Sequence, residues 1–304
     1  MRRDASRAFS LVELLVGLIL GLIVTAAAVA AFHATRTAYL TATDRILLEE
    51  RGQRALTIIA SLLRQSGWPG EPVSATSYPA PPAVSGADDC GQPAIGAVPS
   101  CGRAGVGRSD ALLVRFSGSG LPAAPAQPDE TMTDCSGYAV AARVAGADAN
   151  GGYVAANLIY VAAGGDGVPQ LLCRYPARRG GVIDGMGWTS GALVRGVESL
   201  QVRYGLDTDR DGRADRFETA SAIHSLGESA WHRVVAVQIA IAVRGDRPGS
   251  AAANPGEGAD PLPAPGTAAG DLAPAPPSQA GTARRVFATT VRLRNAPRCQ
   301  ETLC

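Results

Sequence analysis

Two hydrophobic periods follow one another along the chain. From Leu14 to Phe32 no charged residue occurs, and at about 1.5 Å per residue that run nearly crosses a hydrocarbon core of roughly 30 Å. Beyond it the pattern becomes one-sided. Leu48, Gly52, Ala55, Ile59 and Leu62 recur in steps of four and three, with Ile58 and Leu63 widening the stripe. Such spacing puts one apolar face on a helix. The first proline is Pro69, and proline breaks helix interiors. A single helix is therefore predicted from Phe9 to about Ser66, roughly 85 Å long, stopped at Gly67-Trp68-Pro69. Gly17 and Gly21 give its apolar half a small-xxx-small pair that permits close helix approach.

Past residue 110 the period drops to two. Leu200, Val202, Tyr204 and Leu206 alternate with polar neighbours, which predicts a half-buried strand over Ser199–Leu206. In Arg233–Arg244, Val235, Val237, Ile239, Ile241 and Val243 share one face, as a central strand packed on the helix requires. Phe287, Val291 and Leu293 repeat the pattern in Arg285–Arg294, and shorter strands are predicted at Ala111–Phe116, Tyr138–Val144, Tyr153–Ala162 and Gln170–Tyr175. Residues 69–109, rich in Pro, Gly, Ala and Ser, read as a long loop. Residues 245–283 hold too little bulky apolar material to fold alone and read as a flexible loop between the last two strands. A long amphipathic helix followed by antiparallel strands makes an α+β fold. It divides into a membrane half of the helix (9–33), an amphipathic half (34–68) and a β-rich head (69–304).

The front of the apolar run carries a carboxylate, Glu13, where ionisable groups are costly and functional. Arg2, Arg3 and Arg7 precede it as a basic leader, yet the small residue Ala8 comes before the apolar run rather than after it. An ordinary secretory signal has the opposite order. Residues 1–8 followed by Phe9-Ser10-Leu11-Val12-Glu13 resemble the class III signal of type IV prepilins, with Ala8 where that family usually has Gly. The resemblance implies that a prepilin peptidase cuts between Ala8 and Phe9 on the cytoplasmic face, and that the new amine of Phe9 is methylated. It further implies that Glu13 pairs with the amine of a neighbouring subunit. Independently of the family, a carboxylate in lipid gains several kcal/mol when an opposite charge answers it.

Composition fits that picture. Loss of residues 1–8 removes three Arg and one Asp from the 304-residue chain, moving the formal charge from +1 to −1. All 28 basic side chains are arginine, and the near-neutral balance gives no general case for nucleic acid. The arginines Arg174, Arg178, Arg179, Arg284 and Arg285 are the candidates for a local basic patch that would take DNA. Six cysteines, all after residue 89, suit an oxidising compartment. They allow fifteen connectivities, and proximity favours Cys90 with Cys101, Cys135 with Cys173, and Cys299 with Cys304. No C-x-x-C pair with a nearby histidine offers a zinc set, and no G-x-S-x-G, H-E-x-x-H, Walker or dinucleotide motif occurs. His33, His224 and His232 are scattered, so no enzyme is expected. Trp188 and Trp231 read as packing residues of the head.

One polar segment stands out. Asp207-Thr208-Asp209-Arg210-Asp211-Gly212-Arg213-Ala214-Asp215-Arg216-Phe217-Glu218 puts acids at positions 1, 3, 5, 9 and 12 of a twelve-residue calcium loop, with glycine at 6. Asp207, Asp209, Asp211, Asp215, the carbonyl of Arg213 and a bidentate Glu218 would then hold Ca2+. The bland alternative is a polar turn in which aspartates cap backbone amides. The preceding residues read as a strand, so an EF-hand domain is not expected.

One block at the helix end, Leu63-Arg64-Gln65-Ser66-Gly67-Trp68, and two of the head, Gly196–Gly205 and Arg285–Asn295, resemble PilW-type minor pilins. The resemblance implies a low-abundance subunit that helps start or cap a type IV pilus alongside other minor pilins, the major pilin and a tip adhesin. Such a protein would sit in the inner membrane as a single-pass chain with a periplasmic head, and later in the pilus at the cell surface. A pseudopilin of a type II secretion system, or a tip subunit that captures a ligand such as DNA, shares the same stem.

Overall fold

In the computed structural model residues 10–68, 81–143, 152–248 and 282–295 are described. Helix α1 runs over Leu11–Gln65 without interruption. Its apolar first half is bare: none of the residues in its most hydropathic stretch is buried. The expected stripe of Leu48, Gly52, Ala55, Ile59 and Leu62 is buried in the second half, joined by Leu56, Ala60 and Leu63. The helix ends where Gly67 takes φ +72°, a region open to glycine. A Cβ there would also lie 2.5 Å from the carbonyl oxygen of Asn295. Asn295 itself donates its side-chain amide to Ser66 O at 3.1 Å, tying the end of the chain's last described segment to the end of the helix.

Two antiparallel sheets complete the head. The first has strand order β1-β2-β5-β6-β7, from Val84–Ala87, Ala111–Phe116, Ala155–Ala163, Pro169–Arg179 and Val182–Arg195. The second has order β11-β10-β8-β9, from Thr282–Arg292, Val234–Pro248, Val197–Leu206 and Arg216–Glu218. A separate hairpin joins β3 (Gly120–Leu121) to β4 (Ala124–Pro128), and a short helix α2 spans Ala220–Ser225.

The register explains which faces meet. Val237, Ile239 and Ile241 of β10 sit directly across from Tyr204, Val202 and Leu200 of β8 and from Val291, Thr289 and Phe287 of β11. Paired residues point to the same side, so these make one apolar face. Its members apart from the half-buried Thr289, the aliphatic residues of the helix stripe, and Leu112, Phe116, Ile159 and Leu171 of the first sheet share a single core. The central-strand expectation for Arg233–Arg244 is met. Arg51 fastens the helix to the far end of β10, donating from Nη1 and Nη2 to the two carboxylate oxygens of Asp246 at 3.0 and 2.5 Å.

Four expectations need correction. The half-buried strand is buried on both sides, because the 3-10 turn Val106–Arg108 lies over its polar side: Ser199 Oγ donates to Gly107 O and Gln201 Nε2 to Arg108 O. Tyr138–Val144 forms no strand among its described residues, only a single bridge from Ala139 to Thr133. Asp134 claims the local backbone there, accepting from the amides of Ser136 and Tyr138. The loop expected over 69–109 contains β1. The loop expected over 245–283 is shorter, since β10 reaches Pro248 and β11 starts at Thr282; residues 249–281 lie outside the described residues.

The disulfides Cys90–Cys101 and Cys135–Cys173 form as expected; Cys299 and Cys304 lie outside the described residues. The tryptophans divide. Trp231 is 2% exposed and stacks edge-on against Tyr204 at 4.9 Å, whereas Trp188 on β7 is 36% exposed and does not fill the core as expected.

Candidate functional site

At the front of α1, Ser10 is the N-cap. Its Oγ accepts from Glu13 N and its own N donates to Glu13 Oε2, both at 3.2 Å. This capping box satisfies two of the amides a helix start leaves open. It also holds the carboxylate at the positive end of the helix, where a negative charge is favoured. Around it Leu11, Val12, Leu14 and Leu15 are exposed, so the acid sits in an apolar collar. Oε1 receives no protein hydrogen bond among the described residues. Ala8 and Phe9 lie outside them.

The acidic loop follows β8, which aims it. Asp207 Oδ1 accepts from Arg210 N at 2.6 Å and Oδ2 from Gly212 N at 2.8 Å, wrapping the turn around one carboxylate. Asp209 accepts from Asp211 N and Asp211 from Arg213 N. Asp215 reaches back to Thr208, accepting from its hydroxyl and its amide. The hydroxyl bond is the first cause, and the amide bond the second, of a carboxyl held below its ordinary range. Asp207, Asp209 and Asp215 bring one oxygen each within 4.8 Å of one another. Asp211 and Glu218 are not in that group. Glu218 lies on β9 opposite Tyr204 and pairs with Arg216 at 3.3 Å. Arg213 enters through its amide. The geometry thus keeps three of the expected carboxylate ligands together and also contains the aspartate-capped turn of the bland reading.

The arginines proposed as a DNA patch are mostly committed elsewhere. Arg178 pairs with Asp134 at 2.6 Å, Arg284 with Glu198 at 2.9 Å and Arg285 with Glu49 at 2.6 Å. Arg174 donates to Pro93 O. Sequence reasoning missed a different set. A cleft of about 900 Å³ opens beside the acidic loop, lined in part by Arg64, Arg210, Arg233, Arg292 and Arg294. These come from four separate segments, so no local spacing announces them. His232 also lines it; it sits in a 3-10 turn ahead of β10, and burial pushes its pKa down.

Comparison with known proteins adds three findings. The family model described as Type IV Pilus-assembly protein W matches residues 159–295, which take in β5 through β11. The model for the prokaryotic N-terminal methylation motif matches residues 3–29, spanning Ala8, Phe9 and Glu13. Among solved structures, a type IV-like pilin from Thermus thermophilus is similar at 15% identity and a TM-score of 0.41, over 82% of this chain and 97% of that one. No curated protein matches.

Proposed function

We propose that this chain is a PilW-type type IV minor pilin, a structural subunit rather than an enzyme, and that it helps to initiate pilus assembly. In this reading a prepilin peptidase cuts between Ala8 and Phe9, the Phe9 amine is methylated, and the subunit enters the filament base through α1. Other minor pilins and the major pilin are its partners, with a tip adhesin above them. The supporting observation is the bare apolar half of α1 with Glu13 at its front. Among the described residues nothing covers that surface, and one Glu13 oxygen has no protein donor. A neighbour's α1 would supply the apolar cover, and its freed amine would supply the donor.

A deletion strain tests it. Surface pili should fall sharply, return with the wild-type gene, and stay low with Glu13→Ala although that protein is cut and its head is folded. Normal pili without the gene refute the priming role. Lost protein secretion with normal pili would make the chain a pseudopilin instead. Mass spectrometry of the extracted protein should find methylated Phe9 as its first residue.

The proposal has a second part: the loop from Asp207 to Asp215 binds Ca2+. Three convergent carboxylates fit a hard cation that takes six to eight oxygens, the rest coming from carbonyls and water. Asp209 is exposed and, among the described residues, its side chain accepts from Asp211 N alone, so Asp209→Ala should keep the fold. Calcium titrated into the full chain in detergent should release heat, and Asp209→Ala should abolish it. No heat with the wild type ends the calcium reading and leaves a capped turn.

A further inference from the structure

The arginine cleft lies at the far end of α1 from the membrane half: Arg64 is in the last turn, some 80 Å along the helix from Leu11. Arg64, Arg210 and Arg294 are exposed, and among the described residues their guanidinium groups pair with no carboxylate. Arg292 spends one nitrogen on Gly212 O and, among the described residues, pairs with no carboxylate. Two aspartates share the cleft, but Asp207 already takes two backbone amides and Asp211 one. Five arginines against two aspartates leave the wall a positive excess directed at whatever occupies it.

The floor is not simply polar. Val235, Val291 and Leu293 line it and are themselves well buried, so a ligand lying there meets aliphatic surface between guanidinium groups. The lining also includes the end of β11 from Thr289 onward, and among the described strands β11 pairs with β10 alone. Leu293 N donates to Val235 O, which sets the alternation of the ladder. Thr290 and Arg292 then turn their amides and carbonyls to the outer side, where no described backbone group bonds them. An open edge of this kind templates an added strand.

We infer that this cleft docks an extended acidic segment of a partner polypeptide, which adds to the outer edge of β11 while its carboxylates meet Arg64, Arg292 and Arg294. Backbone pairing supplies the direction, and the arginines select acidic side chains at alternate positions. The surface lies away from the bare apolar half of α1, so the inference goes beyond the filament reading and does not depend on it.

The test uses the full chain in detergent micelles and a labelled (Thr-Glu)5 peptide read by fluorescence anisotropy. The peptide should bind, and added salt should weaken it. Arg292→Glu with Arg294→Glu should weaken it by about tenfold or more, with an unchanged circular dichroism spectrum. Neutral (Thr-Gln)5 should bind far more weakly. The acidic peptide N-methylated throughout keeps its charge but cannot donate to a strand edge, and it too should fail. The inference is overturned by no binding of (Thr-Glu)5, by equal binding of the neutral peptide, or by indifference to the charge reversals. Full binding of the N-methylated peptide also overturns it, because the cleft would then be a general anion site.

Discussion

Gly52 faces Phe287 where the stem crosses β11, and the contact sets a test with a change of sign. An added Cβ at Gly52 would lie 2.3, 2.4 and 2.5 Å from three ring carbons of Phe287, against about 3.5–4.0 Å for carbons in ordinary contact. The ring is 7% exposed and has little room to retreat. Overpacking of this kind costs about 1–3 kcal/mol, while alanine in place of a mid-helix glycine returns about 1 kcal/mol. Gly52→Ala should therefore lower stability by about 1 kcal/mol. In a Phe287→Ala background the clash is gone and only the helical gain remains, so the same substitution should raise stability by about 1 kcal/mol. The coupling between the two sites is then about 2 kcal/mol. Urea unfolding of the four proteins in detergent, followed by tryptophan emission, measures it. An effect of Gly52→Ala that keeps the same sign in both backgrounds refutes direct contact between stem and ring.

Three further outcomes are expected. Chain-entropy arguments rank the disulfides by loop length: Cys135–Cys173 spans 38 residues and Cys90–Cys101 spans 11. Replacing the first pair by serine should cost about 4 kcal/mol and the second about 3 kcal/mol, read by urea midpoints; the reverse order contradicts that ranking. Asp215 has a lowered carboxyl pKa, chiefly from the Thr208 hydroxyl, so its contribution to stability is present above the ordinary aspartate range and lost as pH falls through the depressed value. In Thr208→Val the Asp215 carboxyl should titrate at higher pH by NMR, and an unmoved titration contradicts the assigned cause. Ile59→Ala, at a fully buried position of the helix stripe, should cost about 2–5 kcal/mol, whereas Val24→Ala in the bare half should leave head unfolding unchanged.

What the sequence disclosed, and what it hid, follows from how local each signal is. The stripe on α1 was legible because steps of three and four report a helix face directly. Leu56 and Ala60 escaped because their burial depends on the width of the sheet below them. In β8 the alternation was read correctly, but no local pattern says that Ser199 and Gln201 meet the carbonyls of Gly107 and Arg108 from a distant turn. Strand β7 was missed since Val182–Arg195 carries three glycines and an exposed Trp188 and has little regular alternation. At the acidic loop the spacing of aspartates was plain. The separation of Glu218 from them was hidden, because β9 pairs its residues back onto β8. The arginine cleft had no sequence signal at all, being assembled from the helix end, the acidic loop, a 3-10 turn and the last strand.

The placement of β11 orders the birth of this molecule. The strand that seats the stem's apolar stripe leaves the ribosome long after the stem itself. Closing so distant a contact is slow, so the anchor reaches the bilayer long before the surface that will hold its outer half exists. A chain cut short before Thr282 would keep its grip on the membrane yet leave Gly52 without Phe287 to rest upon, a half-built subunit distinguishable from a finished one by that bare stretch of helix.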